Sequence, residues 1–118
     1  MANKSSQVNV NVRVELYAGE STSLTFYIPT ENGEAREQID VVDQEWAKEV
    51  VEYVALRGEY KPVIRPSEDK FMYYVDNSWT VEVSAERLLR MIKASKSWTE
   101  SEHARRIVQL LERGGGHG

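Results

Sequence analysis

The sequence predicts an α+β domain, with an antiparallel or mixed four- to five-stranded sheet of two hairpins, helices packed on one face, and the order ββ(β)αββαα. Three observations predict it. Val8, Val10, Val12, Val14 and Leu16 alternate with Asn9, Asn11, Arg13 and Glu15, the period of a strand with one buried and one wet face. Three later segments repeat apolar residues at i, i+3, i+4 and i+7, as amphipathic helices do. Strand-like runs cluster before and after the first of these helices, which argues for a mixed or antiparallel sheet and against a parallel, doubly wound one.

The elements follow in order. Ala18-Gly19-Glu20-Ser21 reads as a turn after the first strand, and Leu24, Phe26 and Ile28 then alternate with Thr25 and Tyr27 to fold the chain back as a hairpin. Pro29 is expected to end that strand. Asn32-Gly33 signals a second turn, after which Ile39 and Val41 begin a weaker third strand. Asp43 is the expected N-cap of a helix to about Arg57, with Ala47, Val50, Val51 and Val54 inward and Gly58 in a left-handed C-terminal turn. Pro62 and Pro66 predict an extended, irregular stretch. A second hairpin is predicted from Phe71–Val75 and Trp79–Val83, separated by the turn-type residues Asp76-Asn77-Ser78. Ser84 caps a helix carrying Ala85, Leu88, Leu89 and Ile92 inward. Thr99 and Glu102 form a capping box before a last helix with Ala104, Ile107, Val108 and Leu111. Residues 1–113 are thus read as a single domain and 114–118, Gly-Gly-Gly-His-Gly, as a flexible tail.

A chain of 118 residues can bury roughly two thirds of its unfolded surface in one core. There are no cysteines, so disulfides, thiolate nucleophiles, zinc ribbons and iron–sulfur clusters have no ligands here. No segment reaches the roughly 20 apolar residues of a membrane span, and the amino terminus is polar without a signal-type run, so the expectation is a cytoplasmic protein with no membrane partner.

Charge is unevenly placed. Met1–Val83 holds 8 Lys+Arg against 15 Asp+Glu, and Ser84–Gly118 holds 7 against 4, within a formal net charge of −4. The basic portion coincides with the last two helices, where Arg87, Arg90, Lys93, Arg105 and Arg106 could neutralise phosphates as a helical pair joined through Trp98. In the plainer account they are solvated helix faces or partners of the acid-rich first helix, with Glu45, Glu49 and Glu52 as the candidate counter-charges. Phe71-Met72-Tyr73-Tyr74 invites base stacking, but without the glycines of the RNA-recognition motif, and core packing with a half-exposed tyrosine is the simpler expectation.

Glu100 and His103 stand at helical metal-ligand spacing, yet one such pair with no further converging ligands makes no metal site. No Gly-x-Ser-x-Gly elbow occurs, and the glycines from Gly114 follow a helix instead of opening one, so they cradle no phosphate. The expectation is therefore no catalytic residue, no metal and no cofactor. A catalytic role would require a concave pocket holding two acids near His103. The residues favour a small non-catalytic module binding a protein partner in an adaptor, inhibitor or immunity-type role, through Tyr74, Trp98 and the five cations, with Tyr60 a further surface aromatic. Homodimerisation through a strand edge or the terminal helices is one version of it. The alternative is a nucleic-acid-binding protein using the basic pair 84–113.

Overall fold

The computed structural model describes residues 10–116. Its strands are β1 Asn11–Ala18, β2 Thr22–Thr30, β3 Gly33–Asp40, β4 Glu59–Pro66 and β5 Tyr73–Ser84, all paired antiparallel in the order β3-β2-β1-β5-β4. Helices α1 Lys48–Arg57, α2 Ala85–Lys93 and α3 Glu102–Gly116 complete the expected order ββ(β)αββαα. The start of the first alternating run, at Val8, lies outside the described residues. So does the end of the expected 114–118 tail, although α3 continues to Gly116.

The alternation in β1 organises the core. Val12, Val14 and Leu16 stand opposite Val83, Val81 and Trp79 of β5, while Val14 and Leu16 also stand opposite Phe26 and Leu24 of β2. One face is thereby apolar across three strands. On it α1 covers β1 and β5, α2 covers β5, and α3 covers β2 and β3. Val50, Val54, Leu88, Ile92, Ile107 and Leu111 join the strand residues in a single buried cluster, each contributing on the order of 2 kcal/mol of transfer free energy. Trp46 is the largest enclosed side chain. Its ring lies 6.3 Å from that of Phe26, and its indole nitrogen donates to Gln44 Oε1 at 2.6 Å and Ser101 Oγ at 3.1 Å. The opposite face is open and polar, with Arg13 stacked over the Tyr27 ring at 3.8 Å.

Several local expectations change. Asp76-Asn77-Ser78 makes no turn: β5 runs unbroken through all three, and the second hairpin joins β4 to β5 instead. Pro62 and Pro66 lie within β4, an edge strand, where a missing amide need not break the ladder. Pro29 sits inside β2, beyond the last β1 pair at Arg13 and Tyr27, so only β3 flanks it. Asp43 is not the cap of α1; Asp40 caps a 3₁₀ turn at Val41–Asp43, and a second turn at Glu45–Ala47 leads into the helix. Ser84 caps α2 as expected, accepting from the Arg87 amide at 3.1 Å. For α3 the cap is Ser101, whose Oγ accepts from the Ala104 amide at 3.1 Å, because Thr99 is taken up in the turn Lys96–Glu100, donating to the Lys96 carbonyl.

Gly58 is extended, with φ −79 and ψ 159, so no left-handed turn calls for glycine here. Space does. A Cβ would lie 2.5 Å from the Val54 carbonyl oxygen and 3.2 Å from that of Thr80, both backbone atoms that cannot yield cheaply. We expect Gly58→Ala to destabilise the fold by about 2 kcal/mol, as other forced overpacking does. Urea unfolding followed by circular dichroism measures it, and an unchanged midpoint would contradict the close approach.

Candidate interaction surface

The β4–β5 hairpin outruns the sheet. Pairing between β1 and β5 stops at Ala18 and Asn77, so Tyr73–Asp76 have only β4 beside them. Beyond that point a two-stranded arm projects, and its connection Ser67–Met72 is tightly bonded. Ser67 Oγ accepts from the Asp69 amide at 2.9 Å, Asp69 Oδ1 accepts from the Phe71 amide at 3.2 Å, and the Met72 amide donates to the Asp69 carbonyl at 3.0 Å. This ordered loop holds Phe71 outward, 89% exposed.

The arm gathers the molecule's uncovered apolar surface. Of nine large apolar side chains left exposed among the described residues, six belong to it, Ile64, Phe71, Met72, Tyr73, Tyr74 and Val75, and a seventh, Tyr60, stands on β4 at its base. Contiguous exposed apolar patches beyond a few hundred Å² mark interaction sites in soluble proteins. Core packing, the simpler expectation for Phe71, Tyr73 and Val75, is not what they do. Nothing in a period-two pattern says whether a neighbouring element will cover the face it defines.

A polar cluster fastens the arm to the sheet. Asp76, buried on the open face, accepts from Arg65 Nε of β4 at 2.5 Å and from the Tyr17 hydroxyl of β1. The Arg65 guanidinium, followed by the tyrosine hydroxyl, holds the Asp76 carboxyl below the usual range, against the opposing effect of burial. The same contacts push the Tyr17 hydroxyl up, chiefly through its bond to Asp76. Arg65 also lies over the Tyr74 ring at 5.0 Å. Gly19 makes room for the cluster, since a Cβ there would meet the Asp76 carboxyl at 3.0 Å. On the helix side, Tyr60 packs on Trp79 with ring centres 5.5 Å apart and donates to Asn77 Oδ1 at 2.7 Å.

The cations anticipated from the sequence meet different local partners. Lys93 pairs with Glu112 of α3 at 2.8 Å and lies over the Trp98 ring at 5.6 Å. Arg106 reaches Glu37 of β3 at 3.6 Å. Arg87 lies over Tyr53 of α1 at 5.7 Å and, with Arg90, borders a groove beside Glu49. Arg105 is exposed, with no ion pair among the described residues. Of the expected counter-charges, Glu45 pairs with Lys48, and neither Glu49 nor Glu52 pairs with a cation of α2 or α3 among the described residues. Trp98 packs half-buried at the edge of the core. Tyr74 alone of the seven anticipated residues belongs to the arm.

A hollow of about 370 Å³ does open near His103, bordered by Asp43, Glu45, Glu100 and Glu102. These side chains are all exposed, and the polar atoms of Gln44, Trp46 and Ser101 beside them are bonded to one another. No three His, Asp or Glu side chains come together as a metal site among the described residues. Nor is any described helix long and apolar enough to cross a membrane.

Compared with known proteins, the chain matches no family model, no curated protein and no solved structure.

Proposed function

We propose that this chain is a small non-catalytic interaction module, acting in the cytoplasm in an adaptor, inhibitor or immunity-type role, that binds a protein partner through the β4–β5 arm. One observation carries the reading: among the described residues, seven of the nine exposed large apolar side chains gather on that arm and at its base. At about 200 Å² per side chain, the exposed fractions of the six other than Tyr74, which lies on the open face, leave roughly 800 Å² of accessible surface. A standard protein interface takes about 800 Å² from each partner. Aromatic and methionine side chains are also the types enriched at the centres of such interfaces. The base cluster of Tyr17, Asp76 and Arg65 supports the same use, since an arm fixed in place loses less entropy on binding.

The nucleic-acid alternative draws less support, because Lys93 and Arg106 already pair with acids and Arg87 lies over Tyr53. Two variants separate the readings. Val75→Glu, which charges the arm, is expected to abolish capture of a specific partner from native lysate, whereas Arg105→Ala with Arg106→Ala leaves it intact. No retardation of duplex DNA or RNA is expected at low salt, where phosphate contacts are strongest. Loss of binding in the arginine variant alone would overturn the proposal.

A further inference from the structure

We infer that the arm's partner is a second copy of this chain, with two arms laid face to face in opposite directions. The inference rests on the reading of the arm as a protein-docking surface and adds its occupant. On the helix side the arm and its base present four cross-strand rows: Tyr60 with Trp79, Pro62 with Asn77, Ile64 with Val75, and Pro66 with Tyr73. Only Asn77 among them is polar, and it is bonded to Tyr60.

The helical layer fixes the orientation. α1 ends immediately before β4, and a Cβ on Gly58 would lie 3.2 Å from the Trp79 Cβ, so helices rise from the first row and the fourth is bare. Two arms running the same way would drive one helical layer into the other. Reversed, they meet about a two-fold axis lying across the strands between the second and third rows. Trp79 then faces the partner's Tyr73, and Tyr60 faces the partner's Pro66, with the Pro62–Asn77 and Ile64–Val75 rows between them. Such a patch is self-complementary, as an isologous contact requires.

The two ends match as well. Phe71 and Met72 at the tip come to the partner's α1 terminus, where Leu56 is left 83% exposed. The tip acids Glu68 and Asp69 approach the partner's Arg57, the basic residue of that last turn. Without Tyr74, which lies on the open face, the exposed fractions leave roughly 800 Å² on each copy at about 200 Å² per side chain, close to what a stable pair needs. Edge-to-edge pairing, by contrast, is poorly served. β4 carries two prolines and β3 a run of charges at Glu34, Arg36, Glu37 and Asp40, both of which discourage strand addition.

Sedimentation velocity on the full chain tests this at about 100 μM, above the micromolar constants of the weakest interfaces of this size. We expect a species of twice 13.6 kDa. Val75→Glu sets two carboxylates near the axis and is expected to weaken association more than tenfold, on the order of 1.4 kcal/mol or more. Val75 is exposed in the single chain, so its variant should keep the wild-type circular dichroism, and the wild-type melting point in dilute solution where both are monomers. Leu56→Glu should weaken association too, and Arg105→Glu should not. A wild-type monomer at that concentration overturns the inference, as does a dimer indifferent to Val75→Glu. If the wild type is monomeric yet Val75→Glu loses a lysate partner, only the second copy is refuted. If Val75→Glu alters neither self-association nor capture, the docking surface itself is refuted.

Discussion

Trp46→Ala is expected to lower the unfolding free energy by about 4 kcal/mol, the middle of the range for emptying a buried aromatic site. The reason lies in position as much as size. Trp46 sits in the turn leading to α1, packs on Phe26 of β2, and donates to Ser101, the cap of α3, so its removal loosens sheet and helices together. Against a total of roughly 5–15 kcal/mol for a domain, that loss leaves little in reserve. Trp46→Phe keeps most of the ring but not the donor. It should cost about 1–2 kcal/mol, since Ser101 Oγ can still donate to Gln44 Oε1 at 3.0 Å. Urea titrations of both variants measure the difference, and equal losses would mean that packing is not the dominant contribution.

Asp76→Asn is expected to give the largest effect of any polar substitution, and a pH-dependent one. Asp76 joins β1, β4 and β5 through Tyr17 and Arg65, and its folded pKa is lowered by them. A lowered carboxyl pKa contributes stability that is complete above the unfolded value of about 3.9 and is lost as pH falls through the folded one. The variant should therefore melt well below wild type near neutrality, and the gap should close toward acid pH. Amide exchange adds a local readout: Tyr73–Asp76 and their β4 partners should exchange faster in the variant, while Val12 and Val14 should not. A melting difference constant from about pH 7 to pH 2 would contradict the charge-based coupling.

Much of the fold is legible in the chain because the strongest patterns are backed by burial. The alternation around Val12 and Val14 becomes the central strand, and the stripes at Leu88 and Ile107 become the helical seams. The second hairpin departs from its expected place for a physical reason. Asp, Asn and Ser favour turns by bonding their own backbone, but here each has a partner across strands. Asp76 takes Arg65, Asn77 takes the Tyr60 hydroxyl, and Ser78 Oγ donates to the Lys61 carbonyl at 2.9 Å. No local pattern encodes those partners. The exposed arm is hidden in the sequence for a related reason, since Phe71, Tyr73 and Val75 have the composition of a core strand and lack only the helix that would cover it. The basic stripe at Arg87, Arg90 and Lys93 does form the outer side of α2, but the acids that meet Lys93 and Arg106 are Glu112 and Glu37, far along the chain from each.

Hydroxyl-radical footprinting across a dilution series tests most directly whether the arm is the contact surface. At high concentration Phe71, Met72 and Tyr73 should oxidise several-fold more slowly than in dilute solution, with His103 and Tyr27 unchanged. Equal rates along the arm at every concentration, or protection confined to residues 84–113, would contradict it.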